Sequence, residues 1–474
     1  MKIPKFPTLL PALAILLGSC SVGPNYQSPK TTSPAKWNTP LSGGETHSIK
    51  PVTAWWKTFR DPELDSLIDK AVKANPDLKI AEARVREVRA QYRMQQSAFG
   101  PTVDAGGFAG KDRVSKRMPL LNDMALPSTV PLENETYLAG FQAAWEIDVF
   151  GGTRRAVEAA GAEVGAAEYG RRNALVILLA EVGRNYVELR GSQRRLEIAQ
   201  KNIKAQTEAL EIARDRYKNG LTSELDVQQA IAVLTATQAE IPRLQTLVQI
   251  SINRIDVLLG QQPGTLTAQL SKPARIPATP PKVPVGLPSE LLCRRPDVQQ
   301  AERRLAAANA HIGMATSDLF PKFYLTGGGG NLSVSTDNWF SPNSQYWSFG
   351  PTAQWRIFDT GRIRANIKVQ NARQEQALIS YEKTVLTSFE ETENALTAYA
   401  KEQVRRQSLE ESAKASREAL QMANQLYSKG LVSFINVIDA ERSLYQSEDA
   451  LVQSDKTVSQ NLIALYKALG GGWE

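Results

Sequence analysis

The sequence predicts a mainly α-helical chain with a transmembrane β-barrel portion, arranged as two tandem repeats. Three observations carry this prediction: a duplicated pattern, two long proline-free runs and segments of alternating apolar and polar residues. The 474-residue chain has a net charge of +7. Its two histidines and two cysteines exclude disulfide frameworks, zinc clusters and most histidine-dependent catalysis. No aliphatic run after the N-terminus approaches the roughly 20 residues of a spanning helix, so any membrane span must consist of strands.

The first residues predict a targeting signal. Lys2 and Lys5 precede a short apolar stretch, which ends in the run LGSC at Cys20. This pattern indicates a signal peptide over residues 1–19. The run resembles the lipobox of bacterial lipoproteins, which implies that Cys20 is lipidated, with palmitate among its acyl groups. Ser21 in place of aspartate then favours sorting to the outer membrane. The alternative is an ordinary secretory signal with an incidental cysteine.

A comparison of the chain with itself shows the duplication. Residues 75–82 (NPDLKIAE) recur as residues 295–302 (RPDVQQAE), and YKNGL at 217–221 recurs as YSKGL at 427–431. A fold predicted without such a repeat would be wrong as a whole, so the repeat is identified before the individual motifs. The sequence therefore divides into a signal peptide (1–19), a lipid-anchored equatorial segment (20–60), repeat 1 (61–260), a proline-rich equatorial linker (261–290), repeat 2 (291–470) and a tail (471–474).

Each repeat follows the same predicted order of helix, two strands, very long helix, turn and helix. Between 152 and 219, and between 361 and 429, there is no proline, and good helix formers dominate. Gly220 and Gly430 supply the helix ends. We expect coiled-coil-like helices over 61–99, 152–218, 221–259, 296–319, 361–428 and 431–469, and strands over about 102–111, 137–149, 322–333 and 346–358.

The predicted strands alternate with period two, so that one face suits lipid and the other suits water. The alternative is a soluble hairpin packed on a core, but no other segment could form a core large enough to cover these faces. Four strands cannot close a barrel, so several copies must contribute. The residues expected to face lipid are Tyr137, Phe141, Trp145, Trp347, Phe349 and Trp355.

Four motifs in this order resemble the TolC-like outer-membrane factors of tripartite efflux systems, in their NodT-type lipoprotein branch. They are CSVGPNY at 20–26, WWKTFRDPEL at 55–64, GLPSELLCRRPDV at 286–298, and the segment from Gly430 to Glu441. The resemblance covers nearly the whole chain. It implies a homotrimer with a twelve-stranded barrel on an α-helical periplasmic tunnel. It also implies a passive exit duct for small molecules, without cofactors, whose partners are outer-membrane lipid, a periplasmic adaptor and a proton-driven inner-membrane transporter.

The resemblance also implies functional positions near the two glycine turns. Ile435, Asp439 and Arg442 are spaced four and three, so they share one helix face. They match the family's periplasmic gate, as an apolar constriction, an acidic ring and the pairing that keeps the tips closed. The alternative is a solvated helix face. The surface that meets the adaptor corresponds to Tyr217, Gly220, Leu221, Ser223, Tyr427, Gly430, Leu431 and Ser433.

Other classes of function find less support in the sequence. A lipid-anchored coiled-coil periplasmic scaffold without a pore would explain the helices but not the duplicated aromatic strands. A lipoprotein hydrolase would need a motif such as Gly-x-Ser-x-Gly or His-Glu-x-x-His, and neither occurs. The pairs Arg171-Arg172 and Arg294-Arg295 lack interleaved aromatic residues, so nucleic-acid binding is not expected. We assign no catalytic residue, metal ligand or cofactor.

Overall fold

The computed structural model describes residues 21–40, 45–46, 53–113, 115, 133–280 and 283–473. The α-helices are α1 (Pro62–Ala74), α2 (Pro76–Gln96), α3 (Gly152–Lys218), α4 (Glu224–Leu258), α5 (Thr267–Leu270), α6 (Pro288–Arg294), α7 (Pro296–Ser317), α8 (Arg362–Ser428) and α9 (Phe434–Ala468). The strands are β1 (Glu45–Thr46), β2 (Thr102–Arg113), β3 (Glu133–Ile147), β4 (Val283–Pro284), β5 (Lys322–Ser333) and β6 (Gln345–Gln354). None of the helices in these ranges combines the length and apolar character that crossing a membrane requires.

The long helices α3 and α8 each contain 67 residues and run close to the predicted limits. Each begins beside a carboxylate that accepts hydrogen bonds from free backbone amides of the first turn. Asp148 accepts from Thr153 N and Arg154 N, and Asp359 accepts from Ile363 N and, just before the helix, from Gly361 N. An acidic group at this end also interacts favourably with the helix dipole.

The first predicted helix, 61–99, is wrong as a single element, because it breaks at Asn75. Pro76 disfavours helical backbone at the residue before it, and Asn75 has φ −56° and ψ 129°. The Asn75 side chain is buried. Its Nδ2 donates to Leu258 O at 2.9 Å, and its Oδ1 accepts from Leu78 N at 2.9 Å. Asn75 thus begins α2 and ties it to the end of α4.

The chain divides into two compact units. The strand unit comprises the described parts of Met1–Pro29, Glu87–Gly165 and Arg303–Ile379. The core unit comprises those of Lys30–Arg86, Ala166–Glu302 and Ser380–Glu474.

The strand unit contains an antiparallel sheet in the order β2-β3-β5-β6, so the hairpins of the two repeats pair through β3 and β5. Phe141 lies opposite Gly329, and Gly329 lies opposite Trp347. Because directly paired residues share a face, the register collects most of the large apolar residues on one side of the sheet, whereas Phe108, Leu138 and Leu332 form a row on the other. The former side includes Val103, Ala105, Tyr137, Phe141, Trp145, Ile147, Phe323, Leu325, Trp347, Phe349 and Pro351.

A pair of tryptophan contacts recurs in both repeats of the strand unit. Trp145 Nε1 donates to Phe99 O at 2.8 Å, and Trp355 Nε1 donates to Leu319 O at 3.1 Å. In each repeat the returning strand is therefore joined to the segment that precedes the outgoing strand. Trp355 lies one residue beyond β6, because β6 ends at Gln354 rather than at the predicted 358.

The core unit is built around a large apolar cluster to which both repeats contribute. Trp55 stacks on Tyr466, with ring centroids 5.6 Å apart and planes 16° from parallel. The stack is surrounded by aliphatic side chains of the four long helices. These include Leu179, Val182, Leu189, Ile252, Ile255, Leu396, Leu462 and Ile463.

We expect Asn75→Ala to lower the free energy of unfolding by about 2 kcal/mol, because it removes a cap and leaves Leu258 O without its buried partner. Denaturant titration followed by tryptophan fluorescence measures the loss. Asn202→Ala is the matched control, since that amide bonds only within its own helix, to Ile198 O. Equal stability of the two variants would contradict the role given to Asn75.

Candidate functional site

The two predicted glycine turns have the same backbone geometry. Gly220 and Gly430 adopt left-handed conformations with φ of 71° and 73°. Gly220 N donates to Tyr217 O and Leu221 N to Arg216 O, at 2.9 and 2.8 Å. The second turn repeats both bonds, at 2.9 and 3.0 Å. This pair of hydrogen bonds is the Schellman motif that ends a helix. Glycine favours the left-handed backbone of this motif because it carries no Cβ.

The predicted adaptor-contact residues differ in exposure. The exposed members are Tyr217, Gly220, Leu221, Ser223, Gly430, Leu431 and Ser433. Tyr427 is instead buried, with its ring centroid 5.2 Å from that of Phe434. Burial raises its pKa above the ordinary tyrosine value. The side chain of Tyr427 therefore supports the turn from inside, although its counterpart Tyr217 is exposed.

Arg216 joins the two turns and was missed by the sequence analysis. Its guanidinium carbon lies 4.6 Å from the ring centroid of Tyr427, and its Nη1 donates to Tyr427 O at 3.2 Å. The end of α3 is thereby held to the end of α8 by a cation–π contact and a hydrogen bond. The sequence contains one signal for this role: the two repeats differ at this position, since the residue that corresponds to Arg216 in the second repeat is Leu426.

The predicted gate residues do share one exposed face of α9. Ile435, Asp439 and Arg442 are all exposed, and Arg442 Nη2 lies 2.9 Å from Asp439 Oδ1. The two side chains are 62% and 54% exposed, so this ion pair by itself adds little stability. Both charges can therefore exchange this mutual contact for another partner at small cost. The gate assignment itself stays a prediction.

Glu441 lies on the opposite, buried side of the same helix. It follows Val437 by four residues and precedes Leu444 by three, which places it within a stripe of core positions. Only 6% of Glu441 is exposed, and burial raises the pKa of its carboxyl to about 7. Glu441 is not among the positions predicted from the sequence, although a charged residue at an apolar spacing was a detectable signal.

The remaining predicted positions belong to the sheet and to the N-terminus. Phe141, Trp145, Trp347 and Phe349 are exposed on the apolar side of the sheet, and Tyr137 shares that side. Cys20 lies outside the described residues. Within the described ranges, no group of three or more His, Cys, Asp or Glu side chains is placed to share a metal ion.

Known proteins match this chain over nearly its full length. The family described as "Outer membrane efflux protein" matches residues 67–261 and 287–471. The solvent efflux pump outer membrane protein SrpC of Pseudomonas putida is 33% identical over 476 residues, with 99% of each chain covered. The cation efflux system protein CusC of Escherichia coli O6:H1 is 30% identical over 478 residues, which cover 98% of this chain and 99% of CusC.

A solved structure of the outer-membrane channel OprN has the same fold. The TM-score is 0.88 at 37% sequence identity, and the match covers 96% of this chain and 100% of that channel. The predicted TolC-like resemblance and fold class are thus confirmed.

The buried carboxyl of Glu441 predicts a pH-dependent stability near the turns. Its pKa is about 7 in the folded chain, against 4.5 for the free group, so the unfolded state releases the proton first as pH rises. Stability is therefore lost between about pH 4.5 and 7, by about 3 kcal/mol in total. Glu441→Gln should remove this dependence and raise stability at pH 7.5.

The measurement is hydrogen exchange of the α9 amides at pH 5 to 8, corrected for the intrinsic exchange rate. The exposed Glu411 provides the matched control, Glu411→Gln. A pH slope that persists in Glu441→Gln would assign the effect to another group.

Proposed function

The chain belongs to the outer membrane efflux protein family and is an outer-membrane component of an efflux pump in a Gram-negative bacterium; from this premise we propose that it is the pump's passive exit duct. The sheet is the observation that carries the proposal. The side that carries most of its large apolar residues suits lipid, while β2 and β6 are edge strands whose outer backbone groups lack partners within the sheet. Lipid cannot hydrogen-bond these groups, so they need the edges of further copies.

A homotrimer would bring three such sheets together and close them into one twelve-stranded barrel. The family resemblance supports this number, and the pairing of β3 with β5 supports one continuous sheet per copy. A pore-free scaffold is disfavoured, because it would leave the apolar side of the sheet in water. We propose no catalytic step and no nucleic-acid partner.

The energy for export would come from a proton-driven inner-membrane transporter, coupled through a periplasmic adaptor. Exposed apolar side chains at the two turns support adaptor binding there, above all Leu221 and Leu431, of which 67% and 68% are exposed. The relatives are named for solvents and for cations, so cargo selection would lie with the transporter. Lipidation at Cys20 would anchor each copy in the outer membrane.

The gate would be the exposed face of α9 at Ile435, Asp439 and Arg442. In a trimer, three such faces surround one axis, where Ile435 would narrow the opening. Because the Asp439–Arg442 contact is solvent-exposed, each charge is free to pair with a neighbouring copy. A set of charged pairs between copies would then keep the aperture closed until the adaptor binds.

We expect Asp439→Ala combined with Arg442→Ala to raise the single-channel conductance in planar bilayers several-fold, since the closing pairs are removed. Glu211→Ala with Arg214→Ala is the matched control, because it removes an exposed pair of the same spacing on α3. Equal conductance of wild type and gate variant would reject the gate assignment. Absence of conductance in every sample would reject the duct.

We expect Leu221→Glu combined with Leu431→Glu to abolish co-purification of the adaptor expressed with the protein, because charge replaces apolar surface at both turns. Conductance of the isolated trimer should stay at the wild-type value. Ile250→Glu is the control, an exposed apolar position of α4 away from the turns. Retained adaptor binding in the double variant would place the contact elsewhere.

A further inference from the structure

The segment that directly follows Cys20 is held firmly against the strand unit. Val22 N donates to Phe150 O at 3.1 Å. Ser21 packs so closely on Gly151 that a Cβ there would lie 2.7 Å from Ser21 Oγ and 2.8 Å from its Cα. Phe150 and Gly151 form the connection between β3, which ends at Ile147, and α3. The N-terminal segment therefore docks where the strand leaves the sheet.

Arg155 in the first turn of α3 binds three successive parts of this segment. Its Nε donates to Val22 O at 3.2 Å, and its Nη2 donates to Gly23 O at 3.4 Å and to Asn25 Oδ1 at 2.7 Å. Nη1 pairs with Glu158 at 2.7 Å. Only 4% of Arg155 is exposed, and a planar guanidinium with several fixed donors can orient a backbone in this way.

Helix α7 forms the other wall of this docking cleft. Asn309 is buried, and its Nδ2 donates to Pro24 O at 3.0 Å. Gly23 has φ of 89°, and a Cβ on it would lie 2.4 Å from the Cα of Gly313. Such a distance is impossible without displacing backbone, so the segment fits only because glycine occurs at position 23.

The duplication supplies an independent argument that this cleft is specific for the N-terminal segment. Arg155 and Ala365 occupy equivalent positions, since their amides donate to Gly151 O and Gly361 O in the two helix starts. The repeat alignment likewise matches Asn309 with Arg89, and Gly313 with Arg93. All three contact residues thus differ from their counterparts. One chain has one N-terminus, so only one of two equivalent surfaces needs to receive it.

We propose that Arg155, Asn309 and Gly313 form a docking cleft that fixes residues 21–25 beside the end of strand β3. The inference rests on the proposed lipidation of Cys20. Since only Ser21 separates Cys20 from the bound Val22, the acyl chains enter the membrane at the sheet. The lipid anchor is then a fixed part of each copy's membrane surface. Arg155 is the residue that positions the anchor.

Hydrogen exchange of the acylated trimer in lipid nanodiscs tests the docking. We expect the Val22 amide to be protected in the wild type and to exchange at least tenfold faster in Arg155→Met and in Gly23→Ala. Arg364→Met, which removes an exposed arginine in the first turn of α8, should leave it protected. Cys20→Ala should also retain protection, because Val22 is held through the contacts that residues 22–25 make with Phe150, Arg155 and Asn309. Protection that survives both cleft variants overturns the proposal.

Photocrosslinking tests the position of the lipid. A photoactivatable fatty acid incorporated at Cys20 should label peptides of β3 and β5 in the wild type, and Arg155→Met should lose this preference. Wild-type labelling without preference for the sheet overturns the proposal. Conductance of the same samples separates it from the proposed function. A conducting trimer with an unprotected Val22 rejects the cleft alone, whereas a protected Val22 without conductance rejects the duct alone.

Discussion

The apolar cluster around the Trp55–Tyr466 stack sets the register of the four long helices, and the placement of the two glycine turns depends on that register. Each fully buried leucine or isoleucine of the cluster contributes about 1.5–3 kcal/mol. Ion pairs such as Arg195–Asp449 and Lys456–Glu188 lie along the same helices but contribute less net stability, because the cost of desolvating partly buried charges offsets much of their attraction. Burial therefore decides how α3 and α9 align, and the charges refine that alignment.

The two turns of the duplicated sequence have the same backbone geometry but different side chains around them. The Schellman bonds are nearly identical, because glycine at the same position ends both helices. The side chains have diverged: Arg216 corresponds to Leu426, and Glu441 corresponds to Ile231. Equivalent geometry thus allows one repeat to hold the turns together while the other presents the exposed charges of α9.

The same asymmetry recurs at the start of the long helices. Arg155 and Ala365 share a backbone environment, but only the arginine meets the N-terminal segment. The chain has a single N-terminus, so the two repeats are not equivalent here. The side chains that contact the N-terminal segment therefore differ from their counterparts in the other repeat. In the strand unit the duplicated tryptophans keep their symmetric contacts, since each indole donates to a backbone carbonyl of the segment that precedes the outgoing strand.

Hydrophobic periodicity, proline positions and the repeated glycine motif were enough to predict the repeats, the long helices, the strands and their apolar side, since these depend on local spacing. The placement of Ile435, Asp439 and Arg442 on one face of a helix followed from helical spacing in the same way. Other features required contacts between distant segments. The pairing of β3 with β5, the burial of Tyr427 but not Tyr217, the Arg216 contact and the cleft around Gly23 arise where segments far apart in sequence meet. A spacing pattern identifies a helix face or strand face, but only packing determines what covers it.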